Sequence, residues 1–523
     1  MRLRKKWLGV LLAFLTPVLF TLSFPPYDLS FLAWVALIPL LLALKELKRY
    51  EAFLFSWLIG GLSFRGVFGW IGQIEGFGLG HYIMLGIYLG GYFALFGLFV
   101  RLFDDNDPVY PLFVGLVWVL LEYIRSHFFF LALPWALLGH TQYRHIDLIQ
   151  ISSYAGVYGL SFLVILVNAS LAEFLRRIPS SLRHKETLQR YAPVALYLVP
   201  LLLLPLISFW GKGIRKGTGH TAEVRVGLVQ ANIPQNVKWQ KEVFAWSFER
   251  YEDLTRQVAQ ERPSVILWPE TAIPIDFRAY PAGLWKISAL VREIDIPLVF
   301  GAAGGTKMRA ADADQHPSYN SAFFISPQGM FGEYKKMRLI PFGEYIPSIG
   351  HFSLSFLAPG VKAGFVPGRY AKLFPLQEGS FGVTICWENI FPDLFRKFVG
   401  QGASFMVNIS NDGWFKNEAA PSQHLMCQVF RAVENRTSIA RVANTGISCF
   451  IDPFGHILRR VEEGNRFLNV MGVASGEIPT GLGPTFYTRH GDLFMLFCMI
   501  LFGLLIVWRV CYPHRTSITG NGK

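Results

Sequence analysis

The stretch FGVTICWENIFPD, residues 381–393, decides how the rest of this chain is interpreted. An apolar run with strand character ends at Cys386, and an aromatic residue, a carboxylate and an amide follow at once in Trp387, Glu388 and Asn389. A cysteine at the end of a buried strand, beside polar groups, can be held rigidly and still be reached by a substrate. Most free cysteines, however, are small core residues. The stretch alone leaves both interpretations open.

On either side of this stretch the chain has an alternating pattern. From about residue 221 to residue 480, short β-rich runs such as EVRVGLVQA, SVILWPE and FMVNIS alternate with helix-like segments such as WSFERYEDLTRQVAQE. Alternating strands and helices of this kind predict one layered α/β domain.

Three of these strands end on ionisable residues. SVILWPE ends at Glu270, GMFGEYKK ends at Lys335 and Lys336, and SFGVTIC ends at Cys386. In layered α/β proteins, functional groups gather at strand ends, where the backbone is rigid and the loops leave access. A carboxylate can take a thiol proton, the thiolate can attack a carbonyl group, and an ammonium group lowers the thiol pKa and stabilises the oxyanion. Considered singly, a glutamate or a lysine is better explained as a surface ion-pair member.

The composition is that of a membrane protein. Hydrophobic residues make up 52% of the chain and charged residues 16%, and the mean hydropathy is +0.35. The net charge of +13 is compatible with nucleic-acid binding, but the basic residues sit in short clusters between apolar runs. Orientation in a membrane explains such clusters better, so no nucleic-acid partner is expected.

Cysteine and glycine patterns add little. The five cysteines are odd in number and scattered, so no disulfide framework is evident. Neither zinc-type spacing nor a phosphate-binding glycine loop is present, and no metal or cofactor is expected.

Apolar runs near the ~20 residues that a helix needs to cross a bilayer predict seven spans before the α/β domain and one after it. The basic, apolar start resembles a signal peptide but lacks a convincing cleavage site, so we interpret it as a retained first span. The other spans are predicted at residues 30–46, 52–73, 82–103, 110–130, 157–175, 192–210 and 492–510. The predicted organisation is a bundle at 1–215, the α/β domain at 221–480, an eighth span at 490–511 and a tail at 512–523.

Basic clusters orient these spans. Clusters at residues 2–6, 45–49 and 176–190 fall on one side of the membrane, which should be cytoplasmic. Lys212, Arg215 and Lys216 argue the other way but are outnumbered. The prediction is a membrane protein with its α/β domain outside the cytoplasm and both termini in the cytoplasm; the family resemblance described below implies that the membrane is the inner membrane and the outer side is the periplasm.

Two features of the predicted bundle stand out. Arg65 lies inside an apolar run, where a charge is either functional or extends to the membrane interface. Glu122 and Arg125 precede the segment LPWALLGHTQ, in which Trp135 is either functional or an interfacial aromatic anchor.

The apolar segment IPSIGHFSLSFLAPGVKAGFVPG, residues 346–368, directly follows the lysine-containing segment. It is too apolar for an ordinary exposed loop, and Gly350, Gly360 and Gly364 would let it move. We interpret it as a lid or mouth that contacts lipid through Phe356 and Leu357, the alternative being a loop packed on its own domain.

Several motifs carry a family resemblance. WPET at 268–271, YKKMRLIPFGEYIP at 334–347 and the Cys386 stretch resemble, in that order, the Glu-Lys-Cys signatures of the nitrilase superfamily. NISNDGWF at 408–415, QHL at 423–425 and RAVENR at 431–436, together with the predicted spans, resemble the bacterial apolipoprotein N-acyltransferases. The resemblance implies a multispan α-helical membrane bundle that carries an α/β nitrilase-like domain, an α-β-β-α sandwich.

The resemblance also implies roles for site residues. Glu270 would be the general base, Cys386 the nucleophile and Lys336, which fits the family's Y-x-K spacing, the oxyanion stabiliser. Glu344 and Glu388 match carboxylates that support the site. Residues assigned to substrate binding are Trp239, Arg125, Trp135, Trp387, Phe356 and Leu357. With Glu270 as base, His424 is expected to be structural.

The implied reaction is acyl transfer through a cysteine thioester. The acyl chain would come from a phospholipid, typically phosphatidylethanolamine, and would pass to the N-terminal α-amino group of a diacylglyceryl-cysteine in an apolipoprotein. Two rivals are a membrane-anchored amidase that uses water as second substrate and a transporter or scaffold with an inactive nitrilase-like domain.

The sequence departs from the family pattern at four positions. Arg338 replaces the usual histidine, Trp387 and His140 replace tyrosines, and Gly413 replaces an alanine. These departures bear on substrate detail and leave the reaction class unchanged.

Overall fold

The structure is a computed structural model that describes residues 2–74, 77–103, 107–182, 196–219, 222–238, 240–276, 281–305, 318–357, 364–415 and 417–511. Helices make up the N-terminal part of the chain and its last described segment, and an α/β domain lies between them.

The N-terminal helices form a bundle that the last helices of the chain join. They are α1 (Arg2–Leu12), α2 (Leu15–Leu22), α3 (Ile38–Leu44), α4 (Arg49–Val67), α5 (Leu79–Val100), α6 (Tyr110–His127), α7 (Ile146–Ile149), α8 (Ser152–Leu182) and α9 (Val199–Gly217). The final pair, after the α/β domain, is α14 (Phe486–His490) and α15 (Leu493–Cys511), and α15 packs against α6 and α8.

Four helices among the described residues are long and apolar enough to cross a membrane. They are Leu79–Val100, Ser152–Arg177, Leu196–Gly217 and Leu493–Cys511. The first predicted span is divided into α1 and α2, and the region of the second contains a short 3₁₀ turn, Ser30–Trp34, followed by α3. The count of eight spans and the domain boundaries therefore stay predictions.

The α/β domain contains two large sheets. Its strands are β1 (Ala222–Gln230), β2 (Val265–Leu267), β3 (Ile273–Asp276), β4 (Leu298–Gly305), β5 (Ser318–Ile325), β6 (Phe331–Lys335), β7 (Ser348–Ile349), β8 (Phe352–Ser353), β9 (Leu373–Leu376), β10 (Gly379–Ile385), β11 (Phe405–Ser410), β12 (Ile439–Ala443), β13 (Cys449–Ile451), β14 (Ile457–Arg460) and β15 (Gly472–Thr480). The first sheet has the order β15-β1-β2-β4-β5-β6 with β3 beside β4, and the second has the order β14-β13-β12-β11-β10-β9. Strands β7 and β8 form a separate two-stranded sheet.

The two sheets pack face to face over an aromatic core. Phe324 on β5 stacks on Phe374 of β9 with ring centroids 5.4 Å apart, and the ring of Phe381 on β10 lies edge-on to the same Phe324 at 6.1 Å. All six residues of β11 are buried, as expected for a central strand covered on both faces. This packing gives the strand ends of the two sheets a fixed separation.

Helices cover the outer faces of the sheets. Helices α10 (Lys241–Ala259) and α11 (Pro281–Ile294) lie over the first sheet, and α12 (Pro392–Gly400) and α13 (Ala419–Asn435) lie over the second. The α-β-β-α order implied by the resemblance is confirmed.

Helix α13 also contacts the bundle. It packs against α8, and every one of its residues from 423 to 435 is buried. Gly156, with φ 62°, interrupts the helical dihedral angles of α8, and Glu434 Oε1 accepts the backbone N–H of Val157 at 2.9 Å directly after the interruption. The α/β domain and the bundle therefore share one buried interface.

Candidate active site

The three predicted strand-end residues converge where the two sheets meet. Glu270 follows β2, Lys336 follows β6 and Cys386 follows β10, so two come from the first sheet and one from the second. All three are buried, with 7%, 1% and 6% of their surface exposed, respectively. Gly301 of β4 permits the close packing, because a Cβ there would lie 2.6 Å from Glu270 Cα.

Two carboxylates surround the Lys336 ammonium group. Its Nζ lies 2.8 Å from Glu344 Oε1 and 3.5 Å from Glu270 Oε1. Burial by itself lowers the pKa of Lys336, but the Glu344 and Glu270 carboxylates outweigh it and raise the pKa above the usual lysine value. Lys336 is therefore a permanent cation in this site.

Asn320, a residue that the sequence reasoning did not select, joins the two carboxylates. Its Nδ2 donates to Glu270 Oε1 and to Glu344 Oε1, both at 2.8 Å. The backbone N–H of Ile340 donates to the second oxygen of Glu344 at 2.8 Å. Glu344 is thereby oriented from three sides, which fits the supporting position that the resemblance implied for it.

Lys238 is a second buried lysine that the sequence reasoning missed. Its Nζ donates to the backbone oxygen of Glu270 at 3.2 Å and to Thr271 Oγ1 at 3.3 Å. Burial lowers the pKa of Lys238 to about 7, although Glu270 acts in the opposite direction. The only sequence signal was its position directly before Trp239, which itself lies outside the described residues.

Cys386 has an unusual backbone conformation. Its φ of 54° is left-handed, which costs a non-glycine residue about 1–2 kcal/mol. Asn408 Nδ2 donates to the Cys386 carbonyl oxygen at 3.1 Å. Strained backbone that persists at the end of a buried strand is typical of functional positions.

The Cys386 thiol is protonated in the resting site. Burial raises its pKa above the usual range and the Glu270 carboxylate raises it further, whereas Lys336 lowers it. The predicted effect of the ammonium group is present but is outweighed. A thiolate therefore forms only when a nearby base takes the proton.

Glu388 connects the ends of β6 and β10. Its carboxylate accepts the backbone N–H groups of Ile385 at 2.8 Å, Met337 at 2.6 Å and Arg338 at 2.9 Å, and the Tyr334 hydroxyl donates to it at 3.0 Å. Burial raises the pKa of Glu388 to about 7, while the N–H groups of Arg338 and Ile385 act to lower it. This side chain thus ties the backbone directly after Lys336, and the Tyr334 side chain before it, to the backbone before Cys386.

Two of the departures from the family pattern touch each other. The Trp387 indole N–H donates to the Arg338 carbonyl oxygen at 2.5 Å, and Trp387 packs edge-on against Phe391. The Arg338 side chain lies over the same Phe391 ring and pairs with Asp393 at 2.7 Å. Both residues border the site without touching the Glu270, Lys336 and Cys386 side chains through any hydrogen bond in the described part of the chain.

The other two departures, Gly413 and His140, lie in closely packed surroundings. At Gly413 a Cβ would lie 2.9 Å from Thr445 Oγ1, so glycine fits the space that Thr445 leaves. His140 is fully buried, and its ring lies 5.1 Å from that of Phe430 on α13.

The predicted lid is partly described. Phe352 and Phe356 are each 63% exposed, and the rings lie 5.9 Å apart. Leu357 is partly buried, and its carbonyl oxygen is hydrogen-bonded to His81 at the start of α5. Residues 358–363, which include Gly360, lie outside the described residues. The described part therefore presents exposed aromatic rings and touches the bundle.

Among the described residues, Arg125 and Trp135 make no hydrogen bond to Glu270, Lys336 or Cys386. Arg125 Nη1 donates to the Trp135 carbonyl oxygen at 2.9 Å, and Glu122 Oε1 accepts the Leu138 N–H at 2.7 Å. Trp135 is only 5% exposed and stacks on His424 with centroids 5.2 Å apart. The structure thus places Trp135 inside the interface between bundle and α/β domain, where neither bulk lipid nor solvent reaches it.

Two sheets with a carboxylate, an ammonium group and a thiol at their strand ends define a carbon–nitrogen hydrolase domain carried on a helical bundle. The family model for carbon-nitrogen hydrolases matches residues 225–478, and the model for the apolipoprotein N-acyltransferase N-terminal domain matches residues 17–170. Among solved structures, the chain is similar to an amidase of the nitrilase superfamily from Nesterenkonia, at 16% identity, a TM-score of 0.39, and coverage of 54% of this chain and 99% of that one.

Curated relatives match nearly the whole chain. The apolipoprotein N-acyltransferase of Geobacter metallireducens is 37% identical over 97% of this chain and 96% of its own length. Apolipoprotein N-acyltransferase 1 of Treponema denticola is 29% identical over the same shares of the two chains. The chain belongs to the apolipoprotein N-acyltransferase family, which confirms the resemblance, and with its four apolar helices it is an integral membrane protein.

Removing the Glu388 carboxylate should destabilise the α/β domain. In Glu388→Ala, three backbone N–H groups and the Tyr334 hydroxyl lose their acceptor, and each buried unsatisfied group costs about 1–3 kcal/mol. We expect the free energy of unfolding to fall by at least about 3 kcal/mol and the melting temperature, measured in detergent, to fall by roughly 6 °C or more. The exposed Glu462→Ala serves as the control, and equal melting temperatures for the two variants would contradict the role given to Glu388.

Proposed function

We propose that this protein transfers an acyl chain from a phospholipid to the N-terminal α-amino group of diacylglyceryl-cysteine in apolipoproteins, through a thioester on Cys386. The observation that carries the proposal is the buried cluster at the sheet junction, in which Lys336 lies 3.5 Å from Glu270 and both side chains act on the pKa of Cys386. Membership of the apolipoprotein N-acyltransferase family supplies the class of both substrates.

In the first half-reaction, Glu270 takes the thiol proton and the Cys386 thiolate attacks the carbonyl carbon of the donor ester. Lys336 stabilises the negative charge that develops on the carbonyl oxygen. The ester C–O bond then breaks, Glu270 returns the proton to the departing oxygen, and a lysophospholipid leaves. The acyl chain remains on Sγ as a thioester.

In the second half-reaction, the α-amino nitrogen of the acceptor attacks the thioester carbonyl carbon. Glu270 takes a proton from the amine, Lys336 again stabilises the oxyanion, and the C–S bond breaks. The products are an amide and the cysteine, which recovers its proton from Glu270. This is ping-pong chemistry in which one base serves both halves.

A groove in the bundle supports a phospholipid as donor. It lies between α4 and α5, holds about 570 Å³, and is lined mainly by apolar side chains, among them Leu58, Leu62 and Ile83. Arg65 and Tyr82 also line the groove. The Tyr82 hydroxyl donates to the Arg65 carbonyl oxygen at 2.9 Å, which connects the last turn of α4 to the first turn of α5. An apolar groove with one cation at its end matches acyl chains joined to an anionic phosphate, and phosphatidylethanolamine is the donor we propose.

The partly described lid supports a site that excludes water. A thioester is lost to hydrolysis unless water is kept away, and the exposed rings of Phe352 and Phe356 offer an apolar cover. The contact between Leu357 and His81 places this segment over the same end of α5 that borders the groove. An acyl chain leaving the groove would therefore meet the lid next.

The basic clusters support the orientation. With residues 2–6, 45–49 and 176–190 on the cytoplasmic side, the α/β domain faces the periplasm, where apolipoproteins present their N-termini. This orientation places the acceptor and the site on the same face of the inner membrane.

One experiment separates the transferase from its two rivals. Purified protein incubated with acyl-labelled phosphatidylethanolamine should give a mass-spectrometric acyl adduct on Cys386, absent in Cys386→Ala and discharged by a diacylated lipopeptide. In Glu270→Gln the adduct should form about 10²–10⁴-fold more slowly. Discharge by water alone would indicate an amidase-type hydrolase, and an adduct-free protein would indicate a scaffold.

Replacing the lid's apolar side chains should reduce transfer. In Phe356→Ser combined with Leu357→Ser, we expect lower turnover and a larger share of thioester lost to water, because the cover over the site becomes polar. The control is Leu458→Ser on β14, an exposed leucine outside the lid. Unchanged turnover and an unchanged ratio of hydrolysis to transfer would reject the lid.

Neutralising Arg65 should weaken donor binding. In Arg65→Gln the KM for the phospholipid should rise by about tenfold, as expected for one charge-assisted contact worth about 1.5 kcal/mol, with kcat unchanged. Arg65→Lys keeps the charge and should stay within about threefold of the wild type. If Arg65→Gln leaves KM unchanged, the groove's cation does not bind the donor.

A further inference from the structure

A buried polar cluster lies behind Cys386 that the proposed mechanism does not use. Arg441 Nη2 donates to Asp412 Oδ2 at 2.6 Å, and His424 Nδ1 lies 3.3 Å from Asp412 Oδ1. All three side chains are at most 2% exposed. Although burial raises the pKa of Asp412, Arg441 and His424 lower it to about 2, so the carboxylate is ionised. The cluster is a stable ion pair with a histidine attached.

This cluster reaches the nucleophile through Asn408. Arg441 Nη1 and Gln428 Nε2 donate to Asn408 Oδ1 at 3.0 Å and 2.7 Å. The amide nitrogen on the other side of the same group donates to the Cys386 carbonyl oxygen at 3.1 Å. Because both ends of the Asn408 amide are occupied, its plane is defined, and it holds the carbonyl of a residue whose backbone is left-handed.

At its other end the cluster reaches the membrane bundle. The His424 ring stacks on Trp135 with centroids 5.2 Å apart and planes 18° apart. Trp135 is held in turn by Arg125, which donates to its carbonyl oxygen, and by Trp70, whose ring lies 5.4 Å away. Trp70 also donates its indole N–H to Gln423, the residue before His424, at 3.1 Å.

The stacking matters because polar groups contact the His424 ring only at its edge. Nδ1 has Asp412 and Arg441 as neighbours, and the backbone of Cys386 also interacts with this ring. Contacts at the edge of a ring leave its tilt free, and the indole face of Trp135 limits that tilt.

We propose that Trp135 is a positioning residue for Cys386: the bundle orients the nucleophile by fixing His424, which with Asp412, Arg441 and Asn408 holds the Cys386 backbone. The proposal rests on the nucleophilic role of Cys386 given above. A displacement of a reacting atom by about 1 Å can lower the reaction rate by about 100-fold. Contacts that fix the position of Cys386 would therefore raise the rate. This positioning role also explains why Trp135 is buried against the α/β domain.

The test uses full-length protein, acyl-labelled phosphatidylethanolamine and single-turnover measurement of the Cys386 adduct. In Trp135→Leu the rate at saturating donor should fall by about tenfold or more, while the donor concentration for half-maximal rate stays within about twofold. Trp135→Phe keeps an aromatic face and should recover at least half of the wild-type rate. Phe113→Leu, another buried aromatic residue of the bundle that lies in α6 away from His424, should leave the rate unchanged even if it lowers the melting temperature.

A second variant keeps the test decisive if Trp135→Leu does not fold. His424→Gln should show the same fall in rate at unchanged half-saturation. The double variant with Trp135→Leu, or with Trp135→Phe where Trp135→Leu does not fold, should be no slower than the slower single variant, because both changes act through one chain of contacts. An unaffected rate in Trp135→Leu, an equal loss in Phe113→Leu, or multiplying losses in the double variant would each overturn the proposal. If the wild type forms no adduct, the proposed function fails; if the wild type and Trp135→Leu form it equally fast, only the positioning role fails.

Discussion

The hydrogen bonds to the Glu388 carboxylate are the constraint on which the geometry of this site depends. A carboxylate removed from water is tolerated only when donors replace its hydration, and here those donors come from both sheets. Met337 and Arg338 follow β6 in the first sheet, and Ile385 ends β10 in the second. One side chain therefore links the strand ends that carry the ammonium group and the thiol, at the separation that the packing of the two sheets allows.

The charges around Glu388 keep the resting site in a paired state with a protonated thiol. Lys336 is held between two carboxylates, Asn320 bridges the same pair, and Lys238 lies at the backbone of Glu270. The raised pKa of Cys386 keeps the sulfur as a thiol. A thiolate at this position would then require a base to take one proton from the sulfur.

The strand ends could be predicted from sequence, because a buried strand has a recognisable pattern and its terminal residue is read directly from the chain. Glu270, Lys336 and Cys386 all follow such runs. Asn320 and Lys238 were not selected, and Asn408 was quoted only as part of a family motif, because an amide inside a strand, or a lysine in a loop, becomes a site residue only through tertiary contacts. Trp135 shows the same limit. Its loop was predicted to be either functional or an anchor at the membrane surface. In the structure Arg125 donates a hydrogen bond to the Trp135 carbonyl oxygen, and the indole stacks on His424 of α13, nearly 300 residues further along the sequence.

Helix α13 is enclosed by the second sheet on one side and by α8 on the other, and its residues from 423 to 435 are all buried. A soluble fragment cut from the α/β domain alone would expose the bundle-facing side of this helix, together with the carboxylate of Glu434 that now caps the interrupted α8. The catalytic half is thus an incomplete folding unit. Its last layer is complete only where α8 packs against it, so the bundle is a structural part of the domain that carries the site and not merely its anchor.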